Sequence, residues 1–102
     1  MQFIVVGRDG SDTEALNRRM AARQAHIEGF EDGRKKGTFL YAAAMLDDEG
    51  KMIGSTVICD FESRAELDAW LKKEPYIVGD VWKTVDITPC KVLPSCLAPA
   101  SV

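Results

Sequence analysis

Residues 38–61 read TFLYAAAMLDDEGKMIGSTVICDF, and this stretch decides the fold. Thr38 to Leu46 alternates as a strand, with Phe39, Tyr41, Ala43 and Met45 on one face and Leu40, Ala42, Ala44 and Leu46 on the other. Asp47-Asp-Glu-Gly50 has the composition of a hairpin turn, and Met52 to Phe61 supplies the partner strand. The hairpin lies at the centre of a chain of 102 residues, a length that suits one domain.

On its N-terminal side, Gln2 to Val6 reads as a strand that is apolar on both faces. Gly7 to Asp12 reads as a turn, and Asp12 or Thr13 can cap the helix that follows. That helix runs from Thr13 to about Lys36, places Leu16, Met20, Ile27 and Phe30 on one stripe, and stops at Gly37. On the C-terminal side, Ser63-Arg-Ala-Glu66 has the form of a capping box. It opens a short helix with Leu67, Trp70 and Leu71 turned inward, ended by Pro75. A turn through Gly79 leads to a last strand from about Val81 to Cys90.

The order is strand, helix, strand, strand, helix, strand. This is the split βαβ order of an α+β, ferredoxin-like fold, with a four-stranded antiparallel sheet carrying both helices on one face. The domain spans residues 1–93, and residues 94–102 read as an extended or frayed tail. Helices can cover only one face of such a sheet, yet the first two strands are apolar on both. A homodimer packed sheet to sheet is therefore expected, because an open face this apolar is a large patch for a monomer.

Sixteen acidic against thirteen basic side chains give a net charge of −3, which argues against nucleic acid and against an anionic membrane surface. Met1 to Gly10 lacks the charged start and long apolar run of a signal peptide, and no apolar stretch approaches the ~20 residues of a membrane span. Cys59, Cys90 and Cys96 are odd in number and irregular in spacing, so reduced thiols and a cytoplasmic setting are expected. One histidine and no cysteine cluster give no expectation of a metal site, and no phosphate loop motif points to a nucleotide or other cofactor. Tyr41, Trp70, Tyr76 and Trp82 are dispersed, unlike the paired aromatics of an RNA-binding sheet.

His26 is the only side chain whose unperturbed pKa lies near neutrality. Arg19, Arg23 and His26 are spaced i, i+4, i+7 and share one helix flank. Two guanidinium groups beside an imidazole suit a small anionic ligand such as a carboxylate. The same spacing also suits solvated arginines beside a packed histidine. Glu74-Pro-Tyr76 fixes a carboxylate and an aromatic ring on a stiff turn, where Glu74 either orients His26 or caps a solvated helix end. Ser55 is a strand hydroxyl without a special local signal, and the absence of G-x-S-x-G argues against serine hydrolysis.

Several stretches together resemble the YciI-like family. Arg23-Gln-Ala-His-Ile27 is similar to its R-x-A-H-[IL] helix motif, and Gly54-Ser-Thr-Val-Ile58 with Phe61-Glu-Ser63 to its G-S-x-x-I…F-x-S segment. Glu74-Pro-Tyr76 occupies its D-P-[YF] position, and Val81-Trp82 with Val85-Asp-Ile-Thr-Pro89 its closing strand. The resemblance covers about Met1 to Leu93 and implies a dimeric α+β barrel of ferredoxin-like protomers. It also implies an active site built on a histidine and the D-P acid, here His26 and Glu74, with Ser55 and Tyr76 lining it. Related barrels include muconolactone isomerases and chloromuconolactone dehalogenases. Two positions depart from the family: Glu74 replaces its aspartate, and Ala42-Ala-Ala44 replaces its A-G-P.

The leading expectation is a small enzyme that performs acid/base chemistry on a small anionic or lactone-type substrate. His26 would be the acid/base, Glu74 its orienting carboxylate, and Arg23, with Arg19, Ser55 and Tyr76, the substrate contacts. A non-catalytic dimeric module that binds a small anion or serves a partner is the alternative. A cofactor-free oxygenase is a third.

Overall fold

A computed structural model describes residues 1–97. Its elements are β1 (Gln2–Asp9), α1 (Ala15–Lys35), β2 (Phe39–Leu46), β3 (Met52–Asp60), α2 (Arg64–Lys73), α3 (Pro75–Val78), β4 (Trp82–Cys90) and α4 (Pro94–Leu97). The strands form one antiparallel sheet in the order β2-β3-β1-β4. This is the ferredoxin-like α+β arrangement expected from the element order.

Local chemistry sets the boundaries. Gly37 adopts φ 82°, a left-handed conformation that ends α1 at little cost for a residue without Cβ. Asp47 Oδ1 accepts the backbone N–H groups of Glu49 and Lys51 at 2.9 Å, which fixes the β2–β3 turn. Ser63 Oγ accepts the Glu66 N–H at 3.2 Å and starts α2. Of the segment read as a tail, Pro94–Leu97 form one helical turn, and residues 98–102 lie outside the described residues.

The two long helices, α1 and α2, lie on one face of the sheet. Phe3, Val5, Phe39, Val57, Cys59 and Leu67 make the buried core, with Phe30 of α1 and Trp70 of α2 packed on it. Cys59 is sealed within it, and burial pushes its thiol up to about 12. At neutral pH it is accordingly a protonated core residue rather than a nucleophile. Brief alkylation of the native protein at pH 7, mapped by mass spectrometry, should label the exposed Cys96 and spare Cys59 until denaturant is added.

Three features differ from the pattern read in the sequence, and all three bear on the site. First, β1 runs through the presumed turn to Asp9, so Phe3, Val5, Gly7 and Asp9 all fall on the helix side. Second, Phe39 pairs with Cys59 but Tyr41 pairs with Ile58, so Leu40 is a bulge. The bulge reverses the alternation, placing Ala42 and Ala44 on the helix side with Val57 and Ser55, and Tyr41, Ala43 and Met45 on the open face. Arg34 Nη1 donates to the Leu40 carbonyl at 2.7 Å, giving the bulged residue's oxygen a partner. Third, the inward line of α1 is Ala15, Arg19, Ala22, His26, Phe30 and Gly33, whereas Leu16 and Met20 are exposed. Arg19 and His26 of the Arg-His flank are therefore part of the inward face over this half of the helix, while Arg23 stays exposed beside it.

Candidate active site

The site lies between the inward face of α1 and the helix side of β1 and β3, closed at one end by the α2–α3 junction. Glu74 sits at that junction. Pro75 starts α3, and the Glu74 carboxylate caps it, accepting the Tyr76 N–H at 3.3 Å. The same Oε1 is hydrogen-bonded to His26 Nδ1, and both side chains are largely buried. A glutamate at the E-P-Y position thus reaches the imidazole. His26 Nε2 has no protein partner among the described residues and is not sealed from solvent. With Nδ1 held by a carboxylate, Nε2 is the ring nitrogen left to exchange a proton with a ligand.

Aromatic packing holds the imidazole in place. The Tyr76 ring stacks on His26 with centroids 3.9 Å apart and planes 12° apart, and Trp82 meets His26 edge-on at 5.9 Å. A register shift in the β1–β4 ladder puts Trp82 opposite Asp9, on this side of the sheet. Gly7 makes room for it, since a Cβ on Gly7 would lie 2.2 Å from Trp82 Cδ2. Gly7→Ala should therefore force the indole out of place and destabilise the fold by about 1–3 kcal/mol, read as a lowered thermal midpoint. An unchanged midpoint would show that the indole has slack. Burial raises the Tyr76 phenol above its usual range, so it is a neutral hydroxyl at neutral pH.

Arg19 is placed differently from the anion contact suggested by its spacing. Its Nη1 donates to both carboxylate oxygens of Asp9 at 3.1 Å, and the two side chains are 4% and 3% exposed. Its Nη2 donates to Ser55 Oγ at 2.8 Å, and its guanidinium lies over the Tyr76 ring at 4.8 Å. The Arg19 charge is already matched by Asp9. Arg23, one helical turn further along α1 but exposed, forms no hydrogen bond or ion pair among the described residues. Asp9 and Trp82 are the components that the sequence reading missed. A strand that continues through Gly7 would have put Asp9 on the inward face; the register shift that turns Trp82 inward has no local signature.

These groups share a cavity of about 270 Å³. Arg19, Arg23, His26, Ser55 and Tyr76 provide its polar or aromatic groups, and Ile27, Phe30, Val57 and Ala42 to Ala44 its apolar wall. Five of the six residues singled out from sequence thus line one cavity, and the sixth, Glu74, holds His26 from behind. The small side chains of Ala42 and Ala44, brought inward by the bulge, leave the space open. Among the described residues no group of three or more His, Cys, Asp or Glu side chains is gathered to hold a metal ion. No helix among them is long and apolar enough to cross a membrane.

Comparison with known proteins agrees with the fold. The sequence profile of the YCII-related domain matches residues 1–91. Protein YciI of Escherichia coli is 31% identical over 97 residues, covering 89% of this chain and 97% of that protein. An uncharacterized protein of Haemophilus influenzae is 28% identical over the same shares. Among solved structures, the chain is similar to the 5-chloro-2-hydroxyhydroquinone dehydrochlorinase TftG of Burkholderia phenoliruptrix, in complex with 2,5-dihydroxybenzoquinone, with TM-score 0.70 and 20% identity over 93% of this chain and 98% of that one. It is also similar to a dimeric ferredoxin-like protein of unknown function from Jannaschia, with TM-score 0.52 and 14% identity over 89% and 98%. The profile match over nearly the whole chain and the 31% identity to YciI lead to one conclusion: the chain belongs to the YCII-related, or YciI-like, family.

Proposed function

We propose that the protein is a small acid/base enzyme acting on a small anionic or lactone-type molecule. The observation that carries this reading is the His26–Glu74 hydrogen bond at the wall of a lined cavity, with Nε2 unpartnered among the described residues. A carboxylate on Nδ1 orients the ring and stabilises the imidazolium formed when Nε2 takes a proton. Arg23 supplies a positive charge at the cavity that no acidic group among the described residues pairs, which favours an anionic group. The apolar wall and the volume suit one small ring. The fold is compatible with such chemistry, since TftG, a dehydrochlorinase, shares it. The reading includes no cofactor and places the protein in the cytoplasm, in keeping with three free cysteines.

A thermal-stability screen of small lactones and carboxylates tests the ligand class. Ring acids should raise the midpoint, and Arg23→Gln should weaken that response while leaving the ligand-free midpoint unchanged. If neutral analogues stabilise as well as acids, the anion preference is wrong.

The same reading includes a homodimer packed through the open sheet face. Tyr41 is 67% exposed there, and Ile4, Val6 and Ile58 are only half-covered within the protomer. The dimeric description of the Jannaschia protein supports this assembly. Sedimentation at micromolar concentration should give twice the 11.3 kDa chain mass; a clean monomer would contradict it.

A further inference from the structure

Ser55 is almost wholly buried, yet its hydrogen bonding is incomplete. Its Oγ accepts Arg19 Nη2 at 2.8 Å, and Arg19 is itself clamped by Asp9. Its own O–H proton has no acceptor among the described residues, and Ser55 lines the cavity. A hydroxyl whose oxygen is held by a cation can direct its proton only away from that cation. A buried donor without an acceptor costs stability unless a ligand or water supplies one.

Resting on the acid/base reading above, we propose that Ser55 donates this hydrogen bond to a carbonyl or enolate oxygen of the ligand. The Arg19–Asp9 pair serves to aim and polarise the hydroxyl. Arg19 is then a positioning residue rather than the carboxylate contact, and Arg23 takes the ligand's anionic group. Contacts link the two ends of the site: Tyr76 stacks on His26 and meets the Arg19 guanidinium, which is bonded to Ser55. A ligand touching both ends runs along the edge of the Tyr76 ring, with its reacting C–H at His26 and its oxygen at Ser55. When His26 Nε2 takes the proton, the C–H bond breaks and its electron pair passes through the conjugated system. The C=O becomes an enolate oxygen, which accepts the Ser55 O–H more strongly than the ketone or lactone did. The ligand class is thus narrowed to ring acids with a carbonyl conjugated, or able to conjugate, with the carbon that loses the proton.

The test compares a γ-butyrolactone carboxylate with the matching tetrahydrofuran carboxylate, which lacks only the ring carbonyl. Calorimetric titration of the wild-type protein should favour the lactone acid by about tenfold, the scale of one neutral hydrogen bond. Ser55→Ala should erase that preference and leave the affinity for the tetrahydrofuran acid unchanged. Ser55→Cys, a weak donor of similar shape, should lose most of the preference and covers the case in which the alanine variant fails to fold. Equal binding of the two acids by wild type overturns this inference alone, as does a preference that survives in both variants. If neither acid binds, the inference falls together with the small-anion reading on which it rests.

Discussion

Asp9→Ala should destabilise the protein by about 3–5 kcal/mol, because it strips the partner from a buried cation. Asp9 and Arg19 are both almost inaccessible to water, and two N–H···O contacts join them. Without Asp9 the guanidinium keeps its charge, loses two acceptors and retains only Ser55 and the face of Tyr76. Its Nε already has no partner among the described residues. Removing both charges with Asp9→Ala/Arg19→Met should cost clearly less than Asp9→Ala alone, since no charge is then left stranded. Urea denaturation of the four proteins in this cycle gives the coupling directly. A loss below about 1 kcal/mol in the single variant would mean that the pair behaves as a solvent-exposed one. The pair contributes little net stability in itself; its value in this account is to hold a hydroxyl and an aromatic ring in fixed positions.

His26→Gln should lower kcat/KM roughly 10²–10⁴-fold toward any small ring acid that the wild-type protein turns over, the range for loss of a positioned acid/base. Glutamine is chosen because its amide N–H can still donate to Glu74, so the carboxylate is not left alone in the interior. Its melting midpoint should remain close to that of wild type. Alanine would mix the loss of a base with the cost of an unpaired buried carboxylate. Glu74→Gln should also impair turnover, for a different reason. An amide can offer its N–H to Nδ1, which moves the ring proton to Nε2 and disables it as a base. Full activity in His26→Gln would remove the histidine from the mechanism.

The hairpin at residues 38–61, the Ser63 cap and the Glu74-Pro75-Tyr76 turn were legible because each is written in a few adjacent residues. The β2–β3 turn is held by the Asp47 side chain, and the α2 start by Ser63, as those residue types suggest. The faces of β2 were not legible. A one-residue bulge at Leu40 moves every later side chain to the opposite face, and nothing in Phe39-Leu-Tyr41 marks it. The long helix misled for a related reason. Its inward face carries Arg19 and His26, so apolar periodicity followed Leu16 and Met20 toward solvent. A functional site is where polar residues occupy positions that a pattern rule assigns to the core. Gly7 has the composition of a turn residue, yet it lies beneath the Trp82 indole within a strand that continues to Asp9. The turn-like composition of Gly7 to Asp12 thus conceals Asp9 as an inward strand residue, and with it the neutralisation of Arg19.

The central claim is that His26 Nε2 exchanges protons with carbon in a bound ring acid. It can be tested without knowing the natural substrate. A panel of small lactone and cyclic keto acids is incubated in D₂O with the protein, and loss of C–H signals is followed by proton NMR. The wild-type protein should accelerate deuterium incorporation beside the carbonyl, or at the carbon conjugated with it, for at least one acid in the panel. His26→Gln should return that rate to the uncatalysed background. Exchange at the background rate with the wild-type protein for every acid shown by calorimetry to bind, or equal acceleration by His26→Gln, would contradict the account.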